Sequence, residues 1–418
     1  MNLLIKSAKI IDKQSSFHLK IQDILIEKGK ITDIASSIKN TNNVKEVVLD
    51  NLHISVGWFD TSISLGEPGF EERETLANGL KVAAKSGFTA VAINPNTNPV
   101  IDNKSAVEFL ISKAKDNIVN LHPIANLTQQ ANGKELAELF DMSNSGAIAF
   151  GDYNKPISNA NLMKIALLYA QNFEGLVISF PQDMSLSNQG VANEGAVSTK
   201  LGLKGIPSLA EEVQITRDLY LLEYTGGKLH IPTISTEKSV KLIAEAKKKG
   251  LDVTCSVSAH HLFLTDNELQ EFDTKFKVKP PLRTKADINA LKKGVINGTI
   301  DIVTSDHNPI DIENKKVEFE NAEYGTIGME SFFGVLNTIL PLEKSIECIT
   351  ILPRKRFNIA NPVIEIGEMA NITLFNPENE YQFSEENIFS TSKNSAFLDK
   401  KLNGKVYGIF ANNKFAIN

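Results

Sequence analysis

The stretch Val56–Thr75, VGWFDTSISLGEPGFEERET, decides how the rest of the chain is read. An apolar run gives way there to polar residues at alternate positions, and on an extended strand alternate side chains share one face. Asp60, Ser62 and Ser64 are therefore expected to converge on whatever that strand lines. Glu67-Pro68-Gly69 then turns the chain, and the acidic start at Glu71 suits the positive end of a following helix.

Outward from this stretch, apolar strand patterns alternate with amphipathic helical ones. The strands are expected at 52–60, 89–94, 119–126, 147–152, 176–180, 229–235, 252–258 and 300–306. Helices with three-and-four apolar spacing fall between them, at 73–85, 105–115, 161–171, 209–224, 239–249 and 287–297, with Gly87 and Gly250 as C-terminal stops. Strand and helix alternating eight times close most simply into a (β/α)8 barrel. Such a barrel keeps its site at the C-terminal ends of its strands, and those ends carry Asp60, Asn94 with Asn96, Asn126, Asp152, Ser179, Thr233 and Asp306 with His307.

Both ends of the chain read differently. Residues 3–11, 18–27, 30–34 and 46–49 alternate with a period of two, and so do 371–375 and 405–410, with Asn412-Asn413 as a hairpin turn. The expected organisation is α/β: a TIM-type barrel over 55–360 and a small β-sandwich domain assembled from 1–54 and 361–418.

Composition narrows the function classes. With 42% apolar and 22% charged residues the chain reads as globular, and no membrane segment is visible. Its net charge of −6 gives no reason to expect nucleic acid. The N-terminus, MNLLIKSAKIID, alternates like a first strand rather than a signal peptide, so a cytoplasmic location is expected. Cys255 and Cys348, in no metal-ligating or redox spacing, read as buried thiols.

The ordered motifs carry a resemblance. Asp60 to Gly69 resembles the D-x-H-x-H-x-x-E-P-G signature of dihydroorotases, with serines in place of both histidines. Pro95-Asn96-Thr97-Asn98-Pro99, Gly146–Asp152, Asn193-Glu194-Gly195, Leu201–Pro207, His260-His261-Leu262, Lys277–Arg283, Thr304–His307 and Gly325–Glu330 are similar to further blocks of the zinc-dependent bacterial type. The resemblance implies the amidohydrolase-superfamily barrel and, in active members, zinc and the interconversion of dihydroorotate with N-carbamoyl-aspartate in pyrimidine biosynthesis.

Carried over position by position, it also implies a degenerate site. Ser62, Ser64, Ser179 and Thr233 stand where the family has four zinc-binding histidines; Asp60, Asp152 and Asp306 remain as vestigial metal-site carboxylates. Gly66 replaces an arginine, Lys279 an asparagine and Ile310 a histidine of the substrate site, while Asn96 survives. Zinc prefers imidazole, thiolate and carboxylate, so hydroxyls do not replace four imidazoles, and no cofactor is expected. Of the seven histidines, none falls at a ligand position; His122 and His230 read as core residues pointing away from the site. The resemblance implies a catalytically inactive homologue acting as a structural or regulatory partner, with aspartate transcarbamoylase the leading candidate, and the family's usual homodimer. The alternative is an active dihydroorotase, or related amidohydrolase, with an unusual site. There Asp306 would be catalytic, and Asn96, Lys279 and His307 would hold substrate.

Overall fold

The structure, a computed structural model, describes residues 1–41 and 43–418. Eight parallel strands follow one another in chain order around a barrel: Trp58–Ile63, Phe88–Ile93, Asn120–Ala125, Ala149–Phe150, Leu176–Ile178, Lys228–Ile231, Val253–Ser258 and Ile302–Thr304. The last is joined to the first by a parallel bridge between Ile63 and His307, where the Ser64 amide donates to the His307 carbonyl at 2.7 Å. The barrel is therefore nearly closed, with this bridge spanning the seam between its end strands.

Alternation within the strands splits the core in two. Phe59, Ala90, Ala92, Ile124, Ala149, Leu176, Ile178 and Ile302 fill the barrel with Phe357, while Trp58, Val91, Ile93, Val177, Leu229 and Val257 pack outward against the helices. Small and branched residues alternate inside because facing side chains share a narrow interior. His122 and His230 belong to the inward set, which corrects the expected register. His122 packs edge-on against Phe59, and His230 lies against Phe357 with its ring nitrogens engaged by Thr254 and Ser256. Each is satisfied or packed within the interior, and desolvation lowers their pKa values to about 4 and about 3.

The expected first strand, 52–60, is in fact two. His53–Val56 pairs with Leu3–Ile10 and Ile372–Gln382 in the other sheet, and Trp58–Ile63 opens the barrel. Gly57 is the junction: a Cβ there would lie 2.0 Å from both Asn371 Oδ1 and Thr89 Oγ1, so only glycine lets the two sheets meet. The second sheet draws on both chain ends, in the order 414–417, 401–411, 372–382, 53–56, 3–10, 21–27, 30–35, with Lys45–Val47 also pairing to Leu3–Ile10. Its own apolar cluster includes Leu3, Ile5, Ile10, Ile26, Ile54, Leu374 and Phe410. Asn412 and Asn413, both at positive φ, make the tight turn of the last hairpin.

The helix after the first strand starts later than expected. Thr75 caps Leu76–Lys85 by accepting from the Asn78 amide, while Glu74 is buried and accepts from the Thr391 amide. A hydroxyl cap outcompetes the acidic run as the start signal because it satisfies an orphan amide directly.

Candidate functional site

Four polar side chains meet where the first, second and eighth strands end. The Ser62 hydroxyl donates to Asp306 Oδ1 at 3.2 Å, and the Asn94 amide donates to the hydroxyls of Ser62 and Ser64 at 3.1 and 3.2 Å. Asp60 lies just below, accepting from the Thr304 hydroxyl and, at 3.2 Å, from the Ser305 amide. The alternation read in the sequence thus brings Asp60, Ser62 and Ser64 together. Asn94, the donor that ties the serines to one another, is a site residue that strand-end position alone did not distinguish.

The other expected site residues are spent on separate partners. Asp152 turns into the loop after the third strand, where Oδ1 accepts from the amides of Leu127 and Thr128 at 2.9 and 3.0 Å and Oδ2 accepts from the Thr128 hydroxyl. The Ser179 hydroxyl donates to Asp218 at 2.6 Å, and Asp218 is paired with Arg217 at 2.7 Å. Thr233 lines the same cavity as Ser62 and Asp306, held by a bond from its amide to the Ser256 hydroxyl at 3.1 Å. His307 sits behind the site at a helix start, its Nδ1 accepting from the Gly328 amide at 3.1 Å.

Tyr153 fills the mouth. Its ring lines the cavity with Ser62, Thr233, Lys279 and Asp306, and its hydroxyl is hydrogen-bonded to Ser64. Burial and the nearby Asp306 carboxyl push the phenol well above its ordinary range. The remaining cavity is about 30 Å³, room for roughly one water. Above it a wider vestibule of about 520 Å³ is lined by Asn96, Tyr153, Gln182, Lys279, Asn308 and Tyr324. Lys279 bridges the two spaces. Its ammonium donates to the Asn154 carbonyl at 3.2 Å and lies 5.4 and 5.9 Å from the rings of Phe180 and Tyr324.

Backbone strain collects at the same rim. Tyr153, Thr233 and Asp306 lie at φ of 54°, 46° and 48°, a region that bulky and β-branched residues rarely adopt. Such strain persists where surrounding structure over-determines it, most often at functional sites.

Burial dominates the electrostatics of the carboxyls at the mouth. Desolvation, opposed by the Ser62 hydrogen bond and reinforced by Asp60, pushes Asp306 up to about 7. Asp60 and Asp152 are also raised, chiefly by burial. His260 Nε2 lies 3.9 Å from Asp306 Oδ2, and burial drives the imidazole well below its usual value, which disfavours the charged form of this contact. Among the described residues neither nitrogen of His260 has a hydrogen-bond partner. His261 is structural, bonding Ser258 at 2.6 Å and the Pro280 carbonyl at 3.0 Å.

This donor set does not fit a zinc pair. Ser62, Ser64, Ser179 and Thr233 offer neutral oxygens, and Asp152 is saturated by three bonds besides its short one to Thr128. Among the described residues no three His, Cys, Asp or Glu side chains are grouped to hold a metal ion.

Comparison with known proteins places the molecule. A family model described as dihydro-orotase-like matches residues 53–239. The dihydroorotase of Acetivibrio thermocellus is 39% identical over 99% of both chains, and that of Geobacter metallireducens 37% identical over 97% of this chain and 96% of its own. Among solved structures, L-hydantoinase from Arthrobacter aurescens superposes with a TM-score of 0.87 at 19% identity, covering 100% of this chain and 96% of that one. Dihydropyrimidinase from Brevibacillus agri NCHU1002 gives 0.85 at 20% identity, over 100% and 95%. At such identities the last two speak for the fold, a barrel with an attached β-sandwich. Full-length relatives above 30% identity speak for descent: this chain belongs to the dihydroorotase family.

Proposed function

We propose that this dihydroorotase-family chain, set in pyrimidine biosynthesis, has lost metal-dependent ring opening and serves as a structural or regulatory partner. Aspartate transcarbamoylase is the partner that the family resemblance implies. The observation carrying this reading is the donor set at the barrel mouth: Ser62, Ser64 and Asn94 hydrogen-bond one another, and Tyr153 packs over them. Metal chemistry would supply hydroxide near neutral pH by lowering the pKa of water from about 15.7 to about 7. Asp306, a lone carboxyl, can relay a proton but cannot do that.

Metal analysis of the purified chain after incubation with zinc, paired with an assay of dihydroorotate formation from N-carbamoyl-aspartate, tests the proposal. The expected result is substoichiometric metal and no turnover. Two tightly held zinc ions with turnover overturn it. For the partner role, sedimentation of a mixture with aspartate transcarbamoylase from the same organism is expected to show a joint species; independent boundaries overturn that half.

A second reading keeps the hydrolysis of dihydroorotate. It is favoured by the names of the relatives and by Asp306, whose carboxyl near 7 suits proton transfer at neutral pH. The turnover assay decides between the two.

A further inference from the structure

Away from the mouth, a second cavity of about 290 Å³ lies between the barrel helices and the sheet of the chain ends. The end of the helix Leu76–Lys85, the first turns of the helix Met329–Ile339 and the strands Ile372–Gln382 and Lys401–Ala411 border it. At about 30 Å³ per water it has room for roughly ten, where the cavity at the mouth holds one. Two glycines let its aromatic walls close in. A Cβ at Gly334 would lie 2.5 Å from the Tyr381 hydroxyl, and one at Gly404, where φ is 127°, would lie 2.6 Å from the Phe333 ring. Phe389, 44% exposed, forms the outer side. Glu330 is anchored there through one oxygen: Oε1 accepts from the amides of Phe389 and Ser390 at 3.2 and 2.9 Å and from the Ser390 hydroxyl at 2.6 Å. Its Oε2 is buried with no partner among the described residues, and so is the hydroxyl of Ser86, which borders the same cavity and is 4% exposed. At the rim the Lys85 ammonium lies 4.0 Å from the centre of the Phe389 ring and that of Lys405 5.5 Å from the Tyr407 ring; among the described residues neither has a carboxylate partner.

Buried polar atoms in native proteins are nearly always paired, and ligand cavities combine mostly apolar walls with a few convergent polar groups. We propose that this cavity binds a small flat-ring acid that carries an N–H. The ring packs against Phe333, Tyr381 and Phe389, since aromatic walls favour an aromatic guest in edge or offset contact. The N–H donates to Glu330 Oε2, the acceptor that the chain itself leaves unpaired. The carboxylate or phosphate of the guest meets Lys85 and Lys405, whose ammoniums are free to make charge-assisted hydrogen bonds. The inference stands independently of the activity proposed above, because none of these residues lines the barrel mouth or its vestibule.

Isothermal titration calorimetry of the full chain with indole-3-carboxylate and with indoxyl phosphate tests it. Saturable binding at one site per chain is expected, and the tighter of the two acids identifies the anionic group. Uncharged indole, and the tighter acid methylated at its ring nitrogen, are each expected to bind at least about tenfold more weakly. The double variant Lys85→Gln, Lys405→Gln is expected to raise Kd at least about tenfold with an unchanged circular dichroism spectrum. Lys279→Met, which alters the vestibule instead, is expected to leave Kd as it is. No saturable binding of either acid up to about 10 mM overturns the proposal. So does a Kd indifferent to the double lysine variant, a Kd raised as far by Lys279→Met, or an uncharged or methylated ring that binds as tightly as the acid.

Discussion

Ser62 on the first barrel strand and Asp306 at the end of the eighth face each other across the seam, hydroxyl to carboxyl at 3.2 Å. The contact shows how the mouth is held together: polar residues at the ends of the first, second and eighth strands hydrogen-bond to each other through Ser62 and Asn94. Asp306 is left in a dry, uncompensated setting that favours its protonated form.

That setting predicts a pH dependence. Asp306 is held at about 7 in the folded chain against a reference of 3.8, so the folded state binds its proton more tightly than the unfolded state. The stability this contributes is fully present below about pH 4 and is lost as pH rises towards 7, at no more than about 1.4 kcal/mol per pH unit. Asp306→Asn is expected to match wild type near pH 4 and to be the more stable protein at pH 8. Urea titrations across that range check it; a variant less stable at pH 8 would contradict the assignment.

Lys279 has the opposite sign. Desolvation lowers its ammonium from 10.5 to about 8, with no carboxylate to offset the cost. Folding is therefore penalised below pH 8, and stability recovers as pH rises from 8 towards 10.5. Lys279→Met should melt higher than wild type at pH 7, with the gain shrinking by pH 10. The same residue supports an anion-binding prediction, since among the described residues one of its three donors is used, on the Asn154 carbonyl. Among carbamoyl-aspartate, dihydroorotate and orotate, any that raises the wild-type melting temperature should fail to raise that of Lys279→Met.

Tyr153 predicts how the site can be rebuilt. Restoring Ser62→His, Ser64→His, Ser179→His and Thr233→His together should still give little zinc binding, because the tyrosine ring occupies the mouth and only about 30 Å³ is open. Adding Tyr153→Gly should raise zinc retention after dialysis several-fold, as read by atomic spectroscopy. Equal zinc in the two proteins would show that Tyr153 is no obstacle.

Arg283 predicts a structural cost. Its buried guanidinium donates to Ser235, to Asn193 and to the Ile206 carbonyl, at 3.1, 2.8 and 2.8 Å, close to the buried Glu211 that caps the 235–239 turn. Arg283→Leu strands those acceptors and leaves Glu211 without its nearby cation, so a loss of about 3–5 kcal/mol is expected in denaturant unfolding. A change below 1 kcal/mol would mean that the network is not cooperative.

Much of the architecture was legible from spacing alone. Eight strand patterns alternating with helical ones specify a barrel because parallel strands need crossovers and helices with one apolar face must be buried against a sheet. The hydroxyls at Ser62, Ser64, Ser179 and Thr233, on which the proposal of a metal-free site rests, were read from residue type alone, since ligand chemistry depends on it. The inward register of His122 and His230 was not, because a shift of one residue reverses every side chain in a strand. The split of 52–60 at Gly57 was also hidden, depending on how closely Asn371 and Thr89 approach from elsewhere in the chain.

Sequence by itself therefore determined the fold class and the family blocks, which rest on periodicity and on the identity of side chains. Tertiary structure decided that Asn94 ties the two serines together, that Asp152 and Ser179 are spent on Thr128 and Asp218, and that Tyr153 closes the mouth. The reason is distance: Ser62 and Asp306 are 244 residues apart along the chain, and only closure of the barrel makes them neighbours.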